Sequence, residues 1–401
     1  MDKKTVRSHE LGNRLLVTAG ILTVYLLGRA LPLYGVVTNW SSQASQDASA
    51  LFRTMLSADR HQQTWMALGI TPYINASMIM MFLSVFRRAE SRAKTSQLKM
   101  TRRVERMAFF IAVLMSFTIS QSLTFQSDVL EVKHLRYLAM VEMVFGSMLI
   151  TKLALWNKKH GIGDMTPIIL VNLIVGNSQM IRSYDWGKYK PILLLCAVVL
   201  VWTLIAETHT LKIPVLRVSI NNIHGDKSYI PIKWNPIGTM PVMFASALFL
   251  LPQLILKGLA YLFPENPAFL EICKSLVLTD PIGIGVYLFF VILIDVGFSF
   301  IMLMPKEQAK NLQKNGDCIA DVYAGPATQR YLCGRVFLLS LLSGIFQAGV
   351  LCISLLMAYF GILPSGLALV PSNVMLLVGF ICPLVREFRA YYLFDHYHFF
   401  M

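Results

Sequence analysis

The stretch ALGITPYINASMIMMFLSVF, residues 67–86, decides the fold. It carries no charged residue over a length of about 20, which is what an α-helix needs to cross the hydrocarbon core of a bilayer. It is not uniformly greasy. Pro72, Asn75 and Ser77 interrupt it, while helical spacing puts Ile70, Ile74 and Met78 on one face with Asn75 beside them. An ordinary bundle helix is one account. The other is a helix that lines a pathway and can be pried from its neighbour, because Pro and small polar residues weaken both rigidity and packing.

Outward from this stretch, nine more apolar segments are legible: 15–35, 107–125, 138–156, 166–181, 191–209, 237–262, 282–304, 336–360 and 366–385. The first follows a basic start and holds Arg29, and it is long for the apolar core of a signal peptide, so it reads as a retained span. Of 401 residues, 55% are hydrophobic and 14% charged, against about 25% charged in soluble domains. The chain is thus expected to be an all-α polytopic membrane protein of ten spans. The net charge of +14 does not mark a nucleic-acid binder, since apolar runs rather than basic patches dominate. The six cysteines show no metal spacing, and only Cys273 falls in an outer stretch, so neither a disulfide framework nor a metal centre is expected.

Basic residues set the orientation. With the N-terminus inside, the inner segments hold 25 Lys and Arg against 8 outside, which places both termini in the cytoplasm. The same inner segments hold 11 acids, so the whole excess of +14 lies on one face, where it meets anionic lipid and offers a basic platform to a partner.

Three soluble stretches exceed a simple turn. Residues 36–66 begin polar and become amphipathic, as a segment folding back into the membrane would. Residues 210–236 alternate on both sides of His224-Gly225-Asp226 and read as a short hairpin. Residues 305–335 begin as a helix and continue as an irregular loop. There is also an internal echo: Pro72, Ala76 and Ser77 recur as Pro241, Ala245 and Ser246, at a constant offset of 169 and in spans that run in opposite directions. Two inverted five-span halves, 1–190 and 191–401, would make these helices face each other.

No catalytic signature is present: no H-E-x-x-H, no G-x-S-x-G and no phosphate-binding loop. The chain is therefore not expected to be an enzyme or to hold a cofactor. Charges inside spans cost about 2.5–3.5 kcal/mol each on insertion scales, so Glu142, Lys152 and Asp295 are candidates. They are either structural polar groups in a bundle or, for Asp295 and Glu142, the acidic site of an ion-coupled secondary transporter.

The residues that opened this section also carry a resemblance. Ala67 to Ser77 resembles the second-helix signature of the SecY family, the channel subunit of the bacterial protein translocase. The likeness continues in order through Val24 to Gly28, Leu31 to Gly35, His160 to Asp164, Ser228 to Asn235, Met240 to Ser246, Pro305 to Leu312 and Ala327 to Leu332. It implies an hourglass of two inverted halves that passes unfolded polypeptide across the plasma membrane. The waist would be a ring of Ile70, Ile74, Thr166, Leu170, Met243 and Leu376, an apolar constriction that dewets and blocks ions. Thr166 and Met243 depart from an aliphatic ring.

Residues 41–66 would hold the plug. The lateral gate would use Pro72, Asn75, Ser77, Pro241, Ser246 and, on a gate-side helix, Asp295. The 210–236 and 305–335 loops would dock a SecA-type motor ATPase through Arg217, Lys227, Lys233, Tyr323 and Arg330. SecE-like and SecG-like or accessory small membrane subunits would complete the assembly. Where the family places an arginine and a glutamate in the second loop, this chain has Tyr323 and Pro326, and little follows His396. These departures resemble the accessory branch of the family in Gram-positive bacteria, which exports a restricted set of glycosylated, Ser-rich wall proteins.

Overall fold

The apolar segments become helices because a bilayer offers no partner for backbone N–H and C=O groups, and a helix satisfies them internally. The computed structural model describes residues 10–36, 63–85, 96–121, 123–125, 131–183, 190–216, 228–246, 248–249, 281–364 and 367–395. Nine of the ten expected spans coincide with helices among them, and of the tenth, 237–262, the helical residues 240–246 and 248–249 are described while 247 and 250–262 lie outside the described residues. The helices are α1 (Glu10–Ala30), α2 (Thr71–Val85), α3 (Gln97–Ser120), α4 (Val132–His160), α5 (Thr166–Ser183), α6 (Lys190–Thr208), α7 (240–246), α8 (Pro281–Leu303), α10 (Pro326–Tyr359) and α11 (Val370–Asp395). A further helix, α9 (Pro305–Asn315), follows α8 outside the spans. Six of the described helices are long and apolar enough to cross a membrane.

The described residues fall into two compact units. The first holds α1 to α5, Ser246 and the end of α11 from Phe380; the second holds residues 190–245 and 281–379. In the first unit α3 packs against both α2 and α4, and α1 against α4 and α5. Close approaches set the packing. A Cβ on Gly146 of α4 would lie 2.0 Å from the Trp65 carbonyl oxygen, and one on Gly28 of α1 would lie 2.2 Å from the Met66 methyl group. The chain therefore enters α2 pressed against two helices that carry glycine where it passes.

Two expectations change here. Ile70 is not on a helical face with Ile74 and Met78: residues 65–70 form consecutive turns, with Gly69 at φ 54, and the helix begins at Thr71. Pro72 causes this, since it has no N–H to give to a preceding turn and is favoured at the first helical positions. The stretch after Asn315 is also not irregular. Gly316, at φ 73, ends α9, and Asp317 N–H reaches back to the Leu312 carbonyl at 2.9 Å. The chain then forms a strand, β3 (Cys318–Ile319), before α10 starts at Pro326.

In the second unit β3 joins β1 (Thr210–Leu216) and β2 (Tyr229–Lys233) in a sheet of order β2-β1-β3. The hairpin is antiparallel, pairing Thr210 with Lys233 and Ile213 with Ile230; β3 pairs Ile319 with Val215. One face is buried, as alternation along a strand requires. Ile213, Ile232, Ala309, Ile319, Leu332 and Val336 form one hydrophobic core, with Phe300 and Leu303 of α8 packed on it. The two expected protrusions are a single body, continuous with α8 and α10.

Candidate functional site

The segments expected to form a waist and gate are buried for different reasons in the two units. In the first, Ile70, Ile74 and Leu170 are all under a tenth exposed, and Thr166, which opens α5, is half-buried. α2 is enclosed on every side from Thr71 to Ala76, Pro72 included, so it shows no lipid-facing stripe there. Asn75 is fully buried, and neither its amide nitrogen nor its carbonyl oxygen has a partner among the described residues. Ser77, by contrast, returns its hydroxyl to the Ile74 carbonyl at 2.8 Å.

In the second unit, Met243 on α7 and Leu376 on α11 are buried, as is Pro241; Ser246, at the end of α7, is buried and counts with the first unit. The Phe244 ring lies 5.1 Å from that of Phe298, which packs α7 on α8. Each helix expected to form the gate is thus tied to a companion, α2 to α3 and α7 to α8.

Asp295 sits on α8 with no exposed surface. The Gln347 side-chain amide donates to Asp295 Oδ2 at 3.4 Å, to the Ser343 hydroxyl at 3.0 Å and to the Gly238 carbonyl at 3.3 Å. The Ser343 hydroxyl in turn donates to Asn235 Oδ1 at 3.0 Å. This network joins α8, α10 and the chain entering α7. Sequence reasoning missed Ser343, Gln347 and Asn235; a Ser and a Gln one helical turn apart inside an apolar span were the available signal.

The other intramembrane charges have local duties. Glu142 accepts from the Tyr34 backbone N–H at 3.2 Å, and Lys152 pairs with Glu105 of α3 at 2.7 Å. Glu142 and Lys152 therefore face different partners.

The docking residues divide. Arg217 and Lys227 lie outside the described residues, as does the 41–62 part of the expected plug. Lys233 pairs with the buried Glu207 at 3.2 Å, which makes it an anchor for the hairpin base rather than a free charge. Tyr323 is 90% exposed, the most exposed large hydrophobic side chain among the described residues, and Arg330 is exposed one turn into α10.

The first unit holds a polar clasp that the sequence did not announce. The Thr18 hydroxyl donates to Asn157 Oδ1 at 2.9 Å and accepts from the Ile162 N–H at 2.9 Å, while Asn157 Nδ2 donates to the carbonyls of Ile162 and Asp164 at 3.0 and 2.7 Å. Gly161 is required at this crossing, since a Cβ there would lie 1.9 Å from Asn157 Oδ1. Deeper along α1, Tyr25 and Arg29 both donate to Asn172 of α5, Arg29 at 2.8 Å.

Comparison with known proteins agrees with this architecture. The SecY family model matches residues 64–384. An accessory Sec system protein translocase subunit SecY2 from Leuconostoc gelidum subsp. gasicomitatum is 25% identical over 403 residues, covering 95% of each chain. The SecY2 of Streptococcus agalactiae is 28% identical over 84% of this chain and 82% of its own. The protein translocase subunit SecY of Staphylococcus aureus is 22% identical, covering 96% and 95%. A solved protein conducting channel superposes with a TM-score of 0.69 at 18% identity over 96% of this chain and 93% of that one. Sec61 of the canine ribosome-channel complex does so with 0.65 over the same shares. The chain belongs to the SecY family, whose members are multi-pass translocation channels rather than enzymes.

Proposed function

We propose that this chain is the protein-conducting subunit of an accessory Sec translocase in a bacterial plasma membrane. It exports unfolded polypeptide with energy from a SecA-type ATPase on the cytoplasmic side, where both termini lie. Its cargo is a restricted set of glycosylated, Ser-rich wall proteins, and SecE-like and SecG-like or accessory small subunits complete the assembly. The similarity to SecY2 proteins over most of the chain supports the accessory assignment.

The observation that carries the mechanism is the single core shared by the hairpin, α9, β3 and α10. A motor pressing on this platform loads α8 and α10 directly, because their side chains are part of the same packed cluster. Packed cores transmit strain with little compression. α7 is tied to α8 through Phe244 and Phe298, so the load reaches the helix that carries Pro241 and Met243. On the other half, α2 carries Asn75, unpaired among the described residues, which lowers the cost of moving that helix relative to a well-satisfied one. The waist of Ile70, Ile74, Thr166, Leu170, Met243 and Leu376 dewets when closed and yields to a passing chain when the gate helices part. Residues 1–190 and 191–401 act as its two halves, with 41–66 as the plug.

The test is transport. Vesicles holding the purified protein with its small subunits take up an unfolded precursor when the cognate motor and ATP are supplied. Uptake without a motor, or none with it, defeats the proposal. A cysteine pair at Ser77 and Ser246, with neighbouring pairs, tests the gate; failure of every pair to crosslink removes α2 and α7 from it.

A further inference from the structure

The last helix, α11, is shared: Val370 to Gly379 count with the second unit and Phe380 to Asp395 with the first. Each arm is fastened within its own unit. On the second-unit arm, a Cβ on Gly379 would lie 1.9 Å from the Thr239 hydroxyl oxygen, so the two are pressed together. The turn Leu367–Leu369 that leads into this arm packs on α10. On the first-unit arm, a Cβ on Gly163 would lie 2.3 Å from a Leu384 methyl group. Glu387 accepts from the Gly163 N–H at 3.2 Å, Arg14 rests on the Tyr391 ring, and Asp395 accepts from the Leu11 N–H at 3.0 Å.

Pro383 stands where these anchors meet, inside the helix. A proline there has no N–H for the carbonyl four residues earlier, and its ring crowds that carbonyl. For Pro383 the carbonyl belongs to Gly379, the last residue of the second-unit arm. The backbone bond that the proline removes therefore spans the boundary itself. The packing changes at the same place. The arm before the boundary is buried almost throughout, whereas Ile381, Pro383 and Val385 are exposed, so the grip on the helix loosens where the bond is missing. Sharp bends in helices fall at such prolines.

We propose that α11 is jointed at Gly379–Pro383, and that the joint lets one arm move while the other stays anchored. Leu376, expected in the waist, lies on the second-unit arm one turn before the joint. A stiff helix fastened at both ends would hold Leu376 to the anchors of the first unit; a jointed one releases it. The joint follows from the helix and its anchors alone. Its use in opening the waist rests on the proposed channel function.

Hydrogen–deuterium exchange of the full chain in lipid nanodiscs tests the joint. Pro383→Ala restores the N–H at an exposed position, so the fold is kept and the melting temperature holds or rises. The amides next to the joint, residues 380–382, are expected to exchange about tenfold more slowly in Pro383→Ala than in wild type, the scale of one backbone hydrogen bond. Equal exchange in the two proteins overturns the joint. In motor-driven transport Pro383→Ala is several-fold slower, whereas Pro383→Gly, which restores the N–H but leaves the helix pliable, runs close to wild type. Wild-type transport by Pro383→Ala, or an equal loss in both variants, removes the joint from channel opening. A wild-type chain that passes no precursor defeats the channel function instead, and the exchange comparison still decides the joint.

Discussion

The Arg14 guanidinium lies 4.5 Å from the centre of the Tyr391 ring and donates to the Gly161 carbonyl oxygen at 3.2 Å. One side chain thereby joins the first helix, the turn before α5 and the last helix. The same junction is closed by Asp395, which accepts from the Leu11 N–H at 3.0 Å, and by Glu387, which accepts from the Gly163 N–H at 3.2 Å. Carboxylates at orphan N–H groups are favourable because those groups have no other partner in the first turn. Arg14→Ala is expected to lower stability by about 1–2 kcal/mol. Its effect and that of Tyr391→Leu should be less than additive, read as thermal unfolding of the purified protein in detergent.

Asn157 is the more demanding position, since its amide serves two carbonyls and its oxygen takes the Thr18 hydroxyl. Asn157→Leu leaves those groups buried and unpaired, at an expected loss of about 3 kcal/mol or more, since each orphaned group costs about 1–3 kcal/mol. Thr18→Val, which orphans the Ile162 N–H and one Asn157 acceptor, should lose less. Equal melting temperatures for wild type and Asn157→Leu would contradict the clasp.

Gly146 and Gly176 give opposite expectations for the same substitution. A Cβ at 146 meets the Trp65 carbonyl at 2.0 Å, whereas one at 176 meets nothing within 4 Å. Gly146→Ala should destabilise by about 1–3 kcal/mol through overpacking. Gly176→Ala should be neutral or gain up to about 1 kcal/mol of helix propensity. Melting curves of the two variants decide it.

Asn75 is expected to behave unlike a core residue. Replacing it with Leu removes two unpartnered buried polar groups and should raise stability, by about 1–3 kcal/mol if the cavity accepts the side chain. If α2 is a gate helix, the same variant slows motor-driven transport by holding the closed state. Faster transport by a more stable Asn75→Leu protein would separate α2 from gating.

Asp295→Asn keeps a group able to meet Gln347 while removing a buried charge that has no cationic partner among the described residues. The melting temperature should hold or rise, and precursor transport should persist. Abolished transport in a folded Asp295→Asn protein would instead favour ion coupling. Gln347→Leu, which removes the amide donor shared by Asp295 and the Gly238 carbonyl, should be the destabilising member of the pair.

On the platform, Ile319→Asp places a charge in the shared core and should both unfold the cytoplasmic body and abolish motor-stimulated transport. Tyr323→Ala removes only a projecting side chain. It should leave the melting curve unchanged while weakening motor binding, measured by co-sedimentation with the motor.

Spans and their order were legible because each is a local property: about 20 apolar residues must cross the core as a helix, whatever they pack against. The orientation expectation likewise rests only on where Lys and Arg fall, and the motifs from Ala67 to Leu332 identified the family from residue order alone. Positions that depend on contact were not legible. Ile70 reads as helical by spacing, yet Gly69 and Pro72 place it in a turn, because propensity at two flanking residues outweighs a periodic pattern. The strand at Cys318 and Ile319 is two residues long and gains its structure only from β1, which is about a hundred residues away. Lys233 looked like a free docking charge until Glu207 was found beneath it. Asn157 and Gln347 carry no motif at all. Thr18 reaches Asn157 from α1 and Gln347 reaches Asp295 on α8, and a hydrogen bond between helices leaves no period in either one.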